Sequence, residues 1–295
     1  MDLPESPSEL ADRLDGVDYL ADDGLATAAF LALRMGRPLF VEGEAGVGKT
    51  SLAQALADVL AAPLIRLQCY EGLDAAQALY DWDFPRQLLH LRAAEAAGVT
   101  DADQLEHELY DRRFLVARPL LQALEASTSE RPAVLLVDEV DRADDEFEAF
   151  LLEMLSDFTV SIPEIGTIRA LRPPVVVVTS NRTRDVHDAL KRRCLYHWLD
   201  HPDFEREVAV IRRRIPDAGE RLATDVAKAA QSLRRMDLVK PPGLAESIDW
   251  TAALATLGAR ELDRDLAART LGAAVKYRED QDRVLAAVAA DGGLG

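Results

Sequence analysis

Residues 43 to 50 read GEAGVGKT, an octet that fills every defined position of the spacing G-x-x-x-x-G-K-[ST]. The chemistry this suits is polyphosphate binding. Gly43, Gly46 and Gly48 let the loop that also holds Glu44, Ala45 and Val47 curl its backbone N–H groups around phosphate oxygens, with no Cβ in the way. Lys49 brings an ammonium to the β and γ phosphates, and Thr50 offers a hydroxyl to Mg2+. From Ser51 on, SLAQALADVL reads as a helix whose N-terminus faces the anion. The bland reading is a glycine turn without function. A strand before the octet and a helix after it are the context that binding requires.

Two further motifs complete a hydrolysis site. In LLVDEVDRA, Asp138 follows four apolar β-type residues, and ligands of doubly wound sheets gather at such strand ends. Asp138 suits Mg2+ held through its water shell. Glu139 suits a general base that polarises the attacking water. Alone, the pair would be two acids capping a loop. VVVVTSN ends in Asn181, whose amide can orient that water or touch the γ phosphate; alone it would be a turn residue. DALKRRCLYHW then sets Lys191, Arg192 and Arg193 at the end of a short helical stretch. Cations there complement a helix dipole, and arginine in particular presents a fork of donors to phosphate.

These residues need a frame, and the pattern supplies one. Strands are expected at 38–43, 64–69, 133–139, 174–181 and 194–200, with helical stretches between them, which predicts an α/β doubly wound core. AVLLVD and VVVVT are continuous apolar runs, as in strands covered on both faces. Residues 70–118 exceed one helix and are read as an elaborated second helix with an inserted element. Residues 158–171 read as a β-hairpin around PEIG. Beyond 201 the strand signal fades into Ala- and Leu-rich helical patterns. The division expected is therefore a nucleotide-binding core over 1–200 and a helical lid domain over 201–295.

The composition limits function. With 52 Asp plus Glu against 34 Lys plus Arg, the net charge of −18 opposes general binding to a nucleic-acid backbone. Cys69 and Cys194 give no disulfide framework and are read as buried small hydrophobes. The five histidines show no zinc spacing, so no metal beyond Mg2+ is expected. No window approaches the roughly 18 apolar residues of a membrane span, and MDLPESPSEL lacks the features of a signal peptide. A cytoplasmic protein is expected. Tyr80, Trp82 and Phe84 suit either a contact surface for another protein or the packing of the inserted element.

Taken in order, GEAGVGKT, VDE, the strand-end Asn181, the downstream arginines and a helical C-terminal part resemble the AAA+ ATPases. The hairpin before the Asn181 strand and the elaborated second helix look like the MoxR branch. CYEGLDAAQALYDWDFPRQLLHLR and DALKRRCLYHWLDHP look closest to its CoxD-like group, which is associated with maturation of carbon monoxide dehydrogenase and related molybdenum hydroxylases. The resemblance implies an αβα sandwich with a parallel five-stranded sheet, followed by a small all-helical lid. It implies a homo-hexameric or other ring with ATP and Mg2+ between subunits. Arg193, with Arg192 as the near alternative, would be a finger supplied to the neighbouring subunit, and Lys191 would face solvent. Val17 to Leu20 would lie near the adenine. A von Willebrand factor A-domain partner and a client metalloenzyme are implied as well. One departure is that PPGLAESIDW lacks the lid arginine of the family pattern; Ser247 falls roughly in its place, and Arg260 is a possible substitute. The function expected is an ATP-driven maturation chaperone. The alternatives are a nucleic-acid-associated NTPase and an ATP-binding scaffold with little turnover.

Overall fold

A computed structural model describes residues 3–98 and 101–291. Residues 99 and 100 of the inserted stretch and the last four of the expected lid lie outside it. The chain opens with α1 (Pro7–Asp15) and α2 (Asp23–Met35), whose N-cap side chains, Ser6 and Asp22, accept from Glu9 N and Leu25 N. Strand β1 (Leu39–Glu42) leads into helix α3 (Lys49–Val59) and then β2 (Leu64–Gln68). The inserted stretch holds α4 (Ala75–Leu79), β3 (Tyr80–Trp82), α5 (Phe84–Ala96), α6 (Ala102–Leu109) and β4 (Leu115–Ala117). Next come α7 (Pro119–Ala126), β5 (Val134–Asp138), α8 (Asp145–Asp157), β6 (Thr159–Ile162), β7 (Gly166–Arg169), β8 (Val175–Ser180), α9 (Asp188–Arg193) and β9 (Leu195–Trp198). The remainder is helical: α10 (Phe204–Arg214), α11 (Glu220–Arg234), α12 (Leu244–Thr256), α13 (Arg264–Thr270) and α14 (Arg278–Asp291).

Five strands form a parallel sheet in the order β2-β5-β8-β1-β9. β5 shows why: all its residues are buried, and successive side chains enter opposite layers. Val134 and Leu136 join the layer built with α1, α2 and α3, whereas Leu135 and Val137 join the layer that includes α7 and α8. The result is an αβα sandwich. The C-terminal helices bury a third apolar cluster around Val226, Trp250 and Leu254, and the Trp250 indole N–H donates to Thr270 at 2.7 Å.

The inserted stretch is more than a lengthened helix. β3 and β4 pair antiparallel and close it at its base. Tyr80 and Trp82 pack, the latter edge-on to Tyr110 with centroids 5.3 Å apart, whereas Phe84 is 65% exposed. β6 and β7 form a two-stranded antiparallel hairpin. Cys69 and Cys194 are both buried and free, and burial pushes each thiol up to about 12.

Candidate active site

The parallel sheet places the C-terminal ends of β1, β5 and β8 side by side, and the residues that follow them meet at one cleft of about 560 Å³. Ala45 to Ser51 line it, with Asp138, Glu139 and Asn181 beside them. Gly43 does not line the cleft; it passes so close to the Leu199 carbonyl that a Cβ would collide. The Glu44 side chain also turns away and meets His201 at 3.0 Å. Both residues still act on the loop, because Lys49 Nζ donates to the Gly43 carbonyl at 2.8 Å and the Glu44 carbonyl at 2.6 Å. Lys49 is only 7% exposed, and burial draws its ammonium below the usual range, against the opposing pull of Asp141, Asp138, Glu139 and Glu44.

Asp138 is held from three sides. Thr50 Oγ1 lies 3.2 and 3.3 Å from its two oxygens, Thr179 Oγ1 donates at 2.5 Å, and Arg66 Nη2 donates at 2.6 Å. A hydroxyl and a carboxylate side by side are hard oxygen donors. They fit Mg2+, which is usually held by one or two such groups together with phosphate oxygens and waters. Among the described residues, no group of three or more His, Cys, Asp or Glu is placed to hold a metal by itself.

Glu139 leaves the strand with φ +55°, a left-handed conformation uncommon outside glycine. Such strain costs about 1–3 kcal/mol and clusters at functional sites. It turns the carboxylate into the cleft, where Gln68 donates at 3.0 Å, Arg142 at 3.2 Å and the Asn181 amide at 3.3 Å. Asn181 is fixed from behind, because buried Asp141 accepts from its backbone N–H at 3.2 Å and from Thr183 N and Oγ1 at 2.9 and 2.7 Å. Loop, hydroxyl, two acids and amide therefore converge on one place.

The far end of the cleft is built by Val17, Asp18, Tyr19 and Leu20 with Arg206, Arg214 and Ile248 of the helical region. Arg206 bonds Asp22 at 3.1 Å and also reaches the Leu20 carbonyl. Burial alone would raise the Asp22 carboxyl; the hydrogen bonds from Leu25 and Arg206 overcome it and hold it low. Helix α12 sits directly on the phosphate loop, with Ala245 N donating to the Gly46 carbonyl at 3.1 Å. It brings Ala245, Ile248 and Asp249 to the cleft and no arginine. Ser247 is fully buried and donates to Glu207 at 2.7 Å instead, and Arg260 is exposed away from the cleft.

Arg192 and Arg193 stand apart from this cleft, around a second hollow with Arg37 and His187. Arg193 bonds the Ser156 hydroxyl, and the Arg192 side chain is 83% exposed. Lys191 corrects the sequence expectation: it does not face solvent but lies 3.5 Å from buried Glu42 and over the Phe40 ring. Sequence reasoning also missed Arg66, Gln68, Asp141, Arg142 and Thr179. A signal existed for the first two, since LIRLQ carries polar residues two apart, on one face of a strand.

Residues 38–194, more than half of the chain, match the family model described as AAA domain (dynein-related subfamily). The chain belongs to this family of AAA+ ATPases, whose fold supports nucleotide hydrolysis and whose members typically assemble as rings. Two variants of RuvB from Thermotoga maritima superpose with a TM-score of 0.50 at 17% and 18% identity, covering 91% and 92% of this chain and 71% and 73% of theirs. Another RuvB structure, titled a Holliday junction branch migration motor, matches at TM-score 0.47 and 17% identity, covering 91% of this chain and 72% of that one. At such identity the likeness shows the fold alone. No curated protein matches the chain. Among the described residues, no helix is long and apolar enough to cross a membrane.

Proposed function

We propose that the chain is a subunit of a MoxR-type ring that binds and hydrolyses ATP in order to remodel or mature a client metalloenzyme. The observation that carries hydrolysis is the convergence of Thr50, Asp138, Glu139 and Asn181 on the loop of Lys49. The loop amides and Lys49 bind the polyphosphate, and Val17 to Leu20 receive the base. Thr50 and Asp138 would hold Mg2+, which supplies charge neutralisation on the β and γ oxygens. Glu139 takes a proton from the attacking water, and Asn181 holds that carboxylate and the water in line. Arg193 of an adjacent subunit, or Arg192 beside it, would meet the charge developing on the transferred phosphoryl group. Its position away from its own cleft supports a role in trans.

A homo-hexamer, a von Willebrand factor A-domain partner, a molybdenum-containing client and a cytoplasmic setting rest on the sequence resemblance to the CoxD-like group. The net charge of −18 supports a protein client over a nucleic-acid one. A second reading, an ATP-binding scaffold with little turnover, has one observation in its favour: α12, the stretch in which the family pattern has an arginine, presents Asp249 and no arginine to the cleft.

Glu139→Gln tests the first reading. It should bind ATP as the wild type does and lose hydrolysis by about 100-fold or more. Trapped with ATP, it should retain a von Willebrand A-domain protein. Unchanged turnover would refute the general-base assignment, DNA-stimulated hydrolysis would favour the nucleic-acid alternative, and a wild-type protein silent in single turnover would favour the scaffold.

A further inference from the structure

Glu42 is the last residue of β1 and is 3% exposed. A buried carboxylate is costly unless it is paired and hydrogen-bonded. Here Oε1 meets Lys191 Nζ at 3.5 Å and the Ser180 hydroxyl at 3.4 Å, and Oε2 accepts from the Tyr196 hydroxyl at 2.9 Å. The partners belong to α9, β8 and β9. Three of the four residues, all but Tyr196, sit next to a proposed site residue. Gly43, the first loop glycine, follows Glu42; Asn181 follows Ser180; Arg192 and Arg193 follow Lys191.

Helix α9 has only six residues, too few to hold its own direction. Its direction is imposed from outside. Leu190 is buried in the core. Arg37 donates to the carbonyls of Arg192, Arg193 and Cys194 at 2.7, 3.0 and 3.3 Å, which closes the helix end. Lys191 packs its ammonium over the Phe40 ring and points it at Glu42. An apolar pair of the same volume would anchor the helix as firmly. An ion pair adds a fixed azimuth about the helix axis, and so a fixed aim for the residues that follow.

We propose that Glu42 and Lys191 are a positioning pair: they tie the arginines that a subunit presents to its neighbour to the strand end that carries its own phosphate loop. A change in the loop at Gly43 then moves Glu42, and with it the aim of Arg193. This rests on reading Arg193 as a finger supplied in trans, so the test is built to separate the two.

Lys191→Met and Arg193→Ala are compared with the wild type as assembled rings. Lys191→Met should keep nucleotide affinity within about twofold and lower kcat by roughly 10- to 100-fold, the scale of a displacement of about 1 Å in a reacting group. Lys191→Arg, which keeps the charge, should recover most of the rate. Mixing Lys191→Met subunits with Lys49→Ala subunits, which lack a working loop but carry an intact finger, should restore hydrolysis at the Lys191→Met sites. The double variant Glu42→Gln, Lys191→Met removes both charges of the pair, and it should regain the wild-type melting temperature while remaining slow. Recovery of turnover together with melting temperature would mean that the pair is only structural, and would overturn the inference. So would a Lys191→Met ring that turns over at the wild-type rate while Arg193→Ala is slow, or a defect that mixing does not repair. A silent Arg193→Ala would instead remove the finger reading, and this inference with it.

Discussion

The Arg66 guanidinium, on β2, lies 2.6 Å from Oδ2 of Asp138, at the end of β5, and donates at 2.5 Å to Gln68, which in turn donates to Glu139. One cation thus sits against the carboxylate that would face Mg2+ and steadies the amide that holds the proposed base. Two cations cannot both crowd one carboxylate without mutual cost.

Arg66→Gln should therefore strengthen divalent-ion binding in the presence of ATP. Arg66 is half-exposed, so the competition is worth about 0.5–1 kcal/mol, or roughly two- to fivefold in affinity. Titration of Mn2+ followed by electron paramagnetic resonance measures it. An unchanged Mn2+ affinity would mean that Arg66 swings away at no cost.

Arg193→Ala should leave ATP binding in place and lower turnover by about 1,000-fold, the order seen for fingers supplied in trans. Arg192→Ala, which alters an exposed side chain, should change it little. The reverse outcome would move the finger by one residue. Steady-state hydrolysis of the two variants as rings decides it.

The same pair of strands shows what could be read in advance. Strands β5 and β8 were legible because their apolar runs are continuous, and the loop, Asp138, Glu139 and Asn181 because their spacing is chemical. Arg66 and Gln68 were not, because their partners depend on register. Only when β2 pairs with β5, so that Gln68 stands beside Asp138, do the two polar residues face the acids. Lys191 failed for a related reason: three consecutive cations look alike in sequence, and only the rotation of α9 sends one inward to Glu42 and leaves Arg192 outside. PPGLAESIDW carries no arginine, and the place given to Ser247 is interior, where it serves the Glu207–Arg234 pair; the arginines that the helical region does bring to the cleft, Arg206 and Arg214, come from α10.

Stability should fall in mild acid through His197. Burial draws its imidazole below the ordinary 6.5, Asp22 and Asp200 pull it up, and Arg206 pulls it down. The unfolded chain therefore takes the proton first as pH drops below that value, and stability is lost from there towards the lower folded value. Melting temperature followed from about pH 7.5 to about pH 5.5 should show this slope. His197→Gln should flatten it; an equal slope in the variant would assign the loss to other groups.

Gly243→Ala should weaken nucleotide binding. A Cβ there would lie 2.8 Å from the Ala45 carbonyl oxygen and 3.2 Å from Gly46 Cα, so α12 must retreat from the phosphate loop. Overpacking of this kind costs about 1–3 kcal/mol, which is roughly 5- to 150-fold in affinity. A fluorescent ATP analogue reports the change, and wild-type affinity would show that the seam yields freely.

That seam has a further property. Among the described residues, a single backbone hydrogen bond, Ala245 to Gly46, crosses from the helical region to the sheet. Two ion pairs also join the helical region to the core: Arg206 with Asp22, and Arg213 with Asp15 at 2.7 Å. Exposed ion pairs are screened by salt, whereas apolar packing is not. The joint over the cleft is thus open to the surrounding electrolyte in a way that the two apolar cores it connects are not.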